Sequence, residues 1–494
     1  MLFIILLLVI TLAILFVKQR YNYWKVRGVP YLNPTFPTGN VRGLGTRLNL
    51  AEVLHSCYER LKSRGGGPFG GIFFFLGPQV VATDLDFVKT ILVRDFSYFH
   101  DRSLYYNDRD DPLSAHLFTI EGSRWRALRA KLTPTFTSGK MKLMFPIVRD
   151  VAGELEKCLG QELAMDSNVE MKDILARFTT DVIGNCAFGL ECNSLKNPGA
   201  EFREMGRRVS TLPPFMMIKF FLAQQIKPVA RALGVTIMER DVTDFFMSTV
   251  KEVVEYREKS KVQRDDFMNL LIELKNSAKD SERLTLNEIA AQVFLFFFAG
   301  FDTSSTLMLF CLYELALNQD VQDKARQNVM EVLKQHGALS YDAVLDMEYL
   351  DKCMSETLRM YPPAAVIFRT ATKDYPVPGT DFTIEKGTPV NISVLGIHRD
   401  PELYPDPMKF DPERFNQDQV AKRHPFAYLP FGEGPRLCIG MRFAQMQTRV
   451  GLATLLQNFR FRISSRTPIP PKIVPSSGLF VPQDNFWLSI ERIE

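Results

Sequence analysis

The chain has no C-x-x-C pair. Its seven cysteines, Cys57, Cys158, Cys186, Cys192, Cys311, Cys353 and Cys438, are odd in number and scattered over 494 residues. That pattern excludes the paired thiols of zinc sites and redox dithiols, and it fits a reducing compartment without a disulfide framework. An excess of one charge is also lacking: 60 Lys and Arg stand against 56 Asp and Glu, a net charge of +4. Composition therefore excludes nucleic-acid binding as a bulk property, and any basic docking surface must be local. No internal repeat or low-complexity tract occurs. Phosphate loops are missing too. GGGPFGG, residues 65–71, is followed by a strand pattern and no Lys-Ser/Thr pair, so it reads as a turn. FGEGPRLCIG, residues 431–440, has Leu437 where a dinucleotide fingerprint needs its third glycine.

What is present begins with the N-terminal run MLFIILLLVITLAILFV, residues 1–17, in which Thr11 is the one polar side chain. No basic stretch precedes it and no small-x-small cleavage site follows, which argues for an uncleaved anchor over a secretory signal. Lys18, Arg20, Lys25 and Arg27 come after the run, so the positive-inside rule leaves the rest of the chain in the cytoplasm. Residues 18–40 read as a basic, proline-rich linker through Pro30, Pro34 and Pro37, and residues 41–494 as the catalytic domain. With 46% hydrophobic and 23% charged residues, that domain has the means to bury a large core.

The pattern predicts a mainly helical protein with a minor β region. GGIFFFLGPQVVAT, from Gly70, predicts two short strands around a Gly77-Pro78 turn. TLNE at 285–288 has capping-box spacing, and a proline-free apolar run then extends to about Leu317, predicting one long helix. Inside it AGFDTSST, 299–306, interrupts the phenylalanines Phe294, Phe296, Phe297 and Phe298. Gly300 weakens a helix, buried Asp302 needs hydrogen bonds, and Thr303 has the spacing to bond back to the Ala299 carbonyl. An acid, an alcohol and room for water at one turn describe a proton path.

Five short motifs in order then carry a family resemblance: WRALR with Trp125 and Arg129, AGFDTS, SETLR with Glu356 and Arg359, DPERF with Arg414, and FGEGPRLCIG with Phe431, Gly434, Arg436, Cys438 and Gly440. The chain resembles the cytochromes P450, haem-thiolate monooxygenases, and most of all the insect microsomal family-6 enzymes. The resemblance implies the fold of that family: a triangular helical prism around a buried haem b, a long central helix, and small N- and C-terminal sheets. It implies Cys438 as the axial thiolate, which favours O–O cleavage. Trp125, Arg129 and Arg436, with Arg102 and Arg369, are implied as propionate partners, suited by the guanidinium fork. Phe431, Gly440 and Ala299 are implied to border the haem. Asp302 and Thr303 are implied to relay protons, and Glu356, Arg359 and Arg414 to form a supporting network behind the cysteine loop.

The same resemblance implies O2 as co-substrate and NADPH electrons from NADPH–cytochrome P450 reductase, with cytochrome b5 as a further partner. Arg126, Lys131 and Arg442 are implied as part of the docking patch, and the endoplasmic reticulum membrane as the location. Substrate contacts fall on Leu117, Phe118, Phe298, Ala299, Ala364, Ala365, Leu479 and Phe480, an apolar set that suits lipophilic toxins and insecticides. LPPFMMIKFF, 212–221, is implied as a membrane-dipping rim. The competing expectations are a narrow steroid or terpenoid hydroxylase, and a haem sensor or hydroperoxide isomerase; the last two need no acid–alcohol pair.

Overall fold

The structure is a computed structural model and describes residues 1–65, 67–210, 214–279, 283–483 and 486–493. It is mainly helical, with three small sheets, and divides into two compact units. Leu212 and Pro213 of the expected rim lie outside the described residues.

The first unit comprises Met1–Ser103, Ala364–Met408 and Lys422–Leu437. Its main sheet has the order β1-β2-β7-β4, with β1 Phe69–Phe74, β2 Gly77–Ala82, β4 Val366–Thr370 and β7 Pro389–Ser393, and β5 Tyr375–Pro376 pairs separately with β6 Thr383–Ile384. The turn between β1 and β2 is Phe75-Leu76, not the expected Gly77-Pro78. Phe75 adopts the left-handed conformation (φ 51°), while Gly77 and Pro78 open β2 opposite Phe74 and Phe73. A proline is tolerated at a strand start, and the two-residue turn uses positive φ to match strand twist. The helix Leu50–Lys62 starts on an Asn49/Glu52 capping box and buries Val53, Leu54, Tyr58 and Leu61 in the core of this unit.

The N-terminal helix Leu2–Tyr21 is apolar over residues 2–17 and fully buries none of its residues; only its last turn meets the rest of the first unit, where Arg20 Nε donates to the Leu76 carbonyl at 3.3 Å and Tyr21 packs edge-on against Phe73. Immediately after it the chain is docked. Trp24 is fully buried and donates Nε1–H to the Ile72 carbonyl at 3.0 Å. The proline segment runs along β1: Gly71 N–H donates to Pro30 O, Leu32 N–H to Gly71 O and Asn40 N–H to Phe73 O, at 2.8–3.0 Å.

The second unit comprises Leu104–Pro363, Lys409–Ala421 and Cys438–Glu494. Its spine is the helix Leu286–Leu317, which begins on the predicted Thr285/Glu288 capping box with both reciprocal bonds made. This helix is long and apolar enough to cross a membrane, but 67% of its most apolar window is buried, which makes it a core helix. Against it pack Met171–Ile183, Glu348–Met360 and Met441–Asn458. The sheet β3-β9-β8, from Asn168–Glu170, Trp487–Arg492 and Phe459–Ile463, belongs to this unit.

Candidate active site

Among the seven cysteines Cys438 alone is exposed. Burial pushes the Cys57 thiol up to about 11 and the Cys311 thiol up to about 12, which keeps them protonated and inert as nucleophiles or ligands. Cys438 precedes Gly440, the N-cap of Met441–Asn458. Burial lowers the pKa of Arg129, half-buried on the helix Gly122–Leu132, against an opposing pull from the neighbouring Cys438. Trp125, one turn earlier on the same helix, is buried. Arg126 and Arg442 are exposed and Lys131 is half-buried.

The long helix, buried over most of its length, opens at the predicted stretch. Phe298 is half-buried, Ala299 exposed, Thr303 half-buried. The Thr303 hydroxyl donates to the Ala299 carbonyl at 2.7 Å, the back-bond that the spacing implied. Burial holds the Asp302 carboxyl above its ordinary value, while the Ser210 hydroxyl and the charges of Lys172 and Arg203 pull it down. Its Oδ2 has no hydrogen-bond partner among the described residues. Gly300 has a packing reason as well: a Cβ there would stand 2.8 Å from Ile183 Cδ1.

In the first unit Arg436 is buried, with its Nε donating to the His100 carbonyl at 2.6 Å and its Nη2 3.4 Å from Asp101 Oδ1. Arg369, on β4 and 2% exposed, donates to the Phe368 carbonyl, and its Nε has no partner among the described residues. Burial, reinforced by the neighbouring Arg436 charge, lowers its pKa to about 9. Arg102 and Phe431 are half-buried. Gly434 adopts φ 75° and approaches the Leu92 carbonyl so closely that a Cβ would overlap it, so this glycine answers to packing under the loop. Ala364 is exposed and Ala365 buried.

The predicted supporting network is a buried ion cluster within the second unit. Arg359 meets both carboxylate oxygens of Glu356 at 2.6 and 2.8 Å, Arg414 Nε lies 3.4 Å from Glu356 Oε1, and Asp411 N–H donates to the same oxygen at 3.0 Å. Of the remaining contact positions, Leu117 is buried and donates its backbone N–H to Gln292, Phe118 is 40% exposed, Leu479 is half-buried, and buried Phe480 donates its N–H to the Pro363 carbonyl.

Sequence reasoning missed Asp101, Thr179 and Gln447. Gln447 carried a readable signal: it is the polar member of an apolar stripe, Phe443, Met446, Val450, on a helix that buries that stripe.

The cytochrome P450 family model matches residues 30–490. The chain belongs to the cytochrome P450 family. Among its relatives are cytochrome P450 6A1 of Musca domestica, 46% identical over 491 residues covering 98% of this chain and 96% of the relative, and probable cytochrome P450 6a14 of Drosophila melanogaster, 44% identical over 490 residues covering 96% of each. Probable cytochrome P450 6a13 of Drosophila melanogaster is 45% identical over 496 residues, 99% of both chains. A cytochrome P450 is a monooxygenase that activates O2 on a haem held by a cysteine thiolate. The residues present fit that group. A buried guanidinium whose nearest charge is another cation, as Arg369 is, is costly without an anion and suits a propionate. The exposed sulfur of Cys438 under the influence of Arg129 suits a thiolate ligand.

Proposed function

We propose that this monooxygenase oxidises lipophilic compounds, with xenobiotic and insecticide detoxification as its substrate class, and that it draws NADPH electrons through a flavoprotein reductase at the endoplasmic reticulum membrane. Cys438 would ligate the haem iron, Arg436, Arg369, Arg102, Arg129 and Trp125 would hold the propionates, and Phe431, Gly440 and Ala299 would border the macrocycle. Bound in this way, haem supplies oxygen activation. Thr303 and Asp302 hold and pass protons: the Thr303 hydroxyl sits on the Ala299 carbonyl, and the Asp302 carboxyl, lifted by burial, keeps a proton to higher pH than an ordinary aspartate and so delivers it nearer neutrality. Glu356, Arg359 and Arg414 support the loop. Leu117, Phe118, Phe298, Ala364, Ala365, Leu479 and Phe480 offer apolar contacts and few hydrogen bonds, which suits greasy substrates of several shapes. Arg126, Lys131 and Arg442 contribute positive charge for an acidic reductase face, and cytochrome b5 fits the same chemistry. The helix Leu2–Tyr21 anchors the chain.

The observation that carries the reading is the opening of an otherwise buried helix at Ala299–Thr303, with acid and alcohol adjacent. The test is turnover of a panel of lipophilic toxins, steroids and terpenoids in membranes with NADPH and reductase. Reductase-dependent oxygenated products from several scaffolds are expected. Turnover of one hormone scaffold alone would make the enzyme a narrow hydroxylase, and turnover of hydroperoxides without NADPH would overturn the monooxygenase cycle. Cys438→Ala should abolish the red-shifted carbon monoxide band of the reduced protein; persistence of the band refutes the ligand assignment.

A further inference from the structure

Three consecutive carbonyls of the long helix each accept a side-chain donor. Ala299 O takes the Thr303 hydroxyl at 2.7 Å, Gly300 O takes Gln447 Nε2 at 2.9 Å, and Phe301 O lies 2.9 Å from the Thr179 hydroxyl. The donors come from three helices: Leu286–Leu317 itself, Met441–Asn458 and Met171–Ile183. Gln447 also bonds the Ser304 hydroxyl one turn on. Gln447 and Thr179 are both fully buried, where the three helices approach so closely that a Cβ on Gly451 would strike Met308 and Phe178.

A helical carbonyl that takes a second donor tilts off the axis, and its own ladder bond lengthens. At Gly300 and Phe301 the second donors come from neighbouring helices. Gln447 also carries a cost: its Oε1 is buried without a hydrogen-bond partner among the described residues, and an apolar side chain of equal volume would pack there without that penalty. The polar side chain is found where its amide reaches the turn bearing Asp302 and Thr303.

We propose that Gln447 is a positioning residue for oxygen activation, with Thr179 as its counterpart on a third helix. Together they tie the 299–303 turn to two neighbouring helices and so set where the Thr303 hydroxyl stands. Because Met441–Asn458 begins directly after the Cys438 segment, Gln447 ties the helix that follows the thiolate to the turn that handles protons. The proposal rests on the roles given to Cys438 and Thr303 above.

Gln447→Met keeps the side-chain volume and removes both donors. On the haem-loaded protein, amide hydrogen exchange of peptides covering 298–310 should slow as the ladder bonds of this turn shorten. Product formed per NADPH consumed should fall about three- to tenfold, the range one net hydrogen bond commands. Combined with Thr303→Ala, the substitution should add little, since both act through the same turn. Unchanged exchange with unchanged coupling overturns the proposal, and so does a fully additive double variant. If Gln447→Met does not accumulate as holoprotein, Thr179→Val, which keeps the shape and removes the hydroxyl, should show the same slowed exchange and the same fall in coupling, and its failure to do so overturns the proposal equally. A wild-type protein lacking the red-shifted carbon monoxide band defeats the thiolate reading; hydrogen exchange of the turn then still decides whether Gln447 holds it.

Discussion

Asp302 and Arg369 are both charged groups that the folded chain stabilises poorly by itself. For Asp302 the folded carboxyl titrates above its ordinary value of 3.8, so the fold binds a proton that the unfolded chain has already released. Stability then falls as pH rises above the ordinary carboxylate value, and the cost is complete once pH exceeds the folded value. Asp302→Asn should therefore raise the melting temperature at pH 7, lose that advantage near pH 4, and lower product yield per NADPH; calorimetry and product analysis on one preparation check all three. Arg369 has the opposite sign of charge. Without an anion it gives up its proton near 9, whereas the unfolded chain keeps it to a far higher pH, so the apoprotein gains stability as pH rises above 9. Haem propionates favour the charged form, and haem retention should weaken above pH 9. Transfer of haem to an acceptor protein, followed against pH, should be faster above pH 9 than below it in the wild type, and the dependence should be flatter in Arg369→Met.

At the scale of elements, the Glu356–Arg359–Arg414 cluster joins Glu348–Met360 to the DPERF segment, with both members of the first pair fully buried. Breaking such a pair by removing one partner costs about 3–5 kcal/mol, because the other charge is stranded. Glu356→Ala should accumulate little holoprotein, and urea unfolding of what accumulates should show a cost in that range. Much of this level was legible in the sequence. The capping box announced the long helix, the hydroxyl back-bond followed from i to i−4 spacing, and the motifs arrived in order. Contacts distant in sequence were not legible. β2 pairs with β7 through Val80 and Val390, and no local pattern specifies that register. The Phe75-Leu76 turn was hidden because Gly and Pro usually mark turns, and here they open a strand. Asp101 and Thr179 gave no signal, since their partners Arg436 and Phe301 lie far along the chain.

For the whole molecule the proposed anchor, Leu2–Tyr21, would set where the protein resides. Deleting residues 1–21 should convert a protein that resists alkaline carbonate extraction into one released by it, with the carbon monoxide band intact, because the helix Leu2–Tyr21 buries no residue. Release should be incomplete at low ionic strength. Phe215, Leu222, Ile226, Val229 and Leu233 stay at least half exposed on the segment 214–233, and they offer a second apolar contact with lipid. Adding Leu222→Glu and Val229→Glu should complete the release; sedimentation with vesicles measures both steps.

The docking of Trp24 and the pinned proline segment leave almost no slack between the N-terminal helix and the rest of the first unit. With the proposed anchor in a membrane, a leash this short would make the bilayer the working solvent for substrate supply. A compound that partitions strongly into lipid is presented at its concentration in the membrane, so its apparent KM, expressed per total volume, should rise in proportion to added vesicles while kcat stays constant. Selectivity among lipophilic substrates would then be set partly by partition coefficients, before any side chain makes contact.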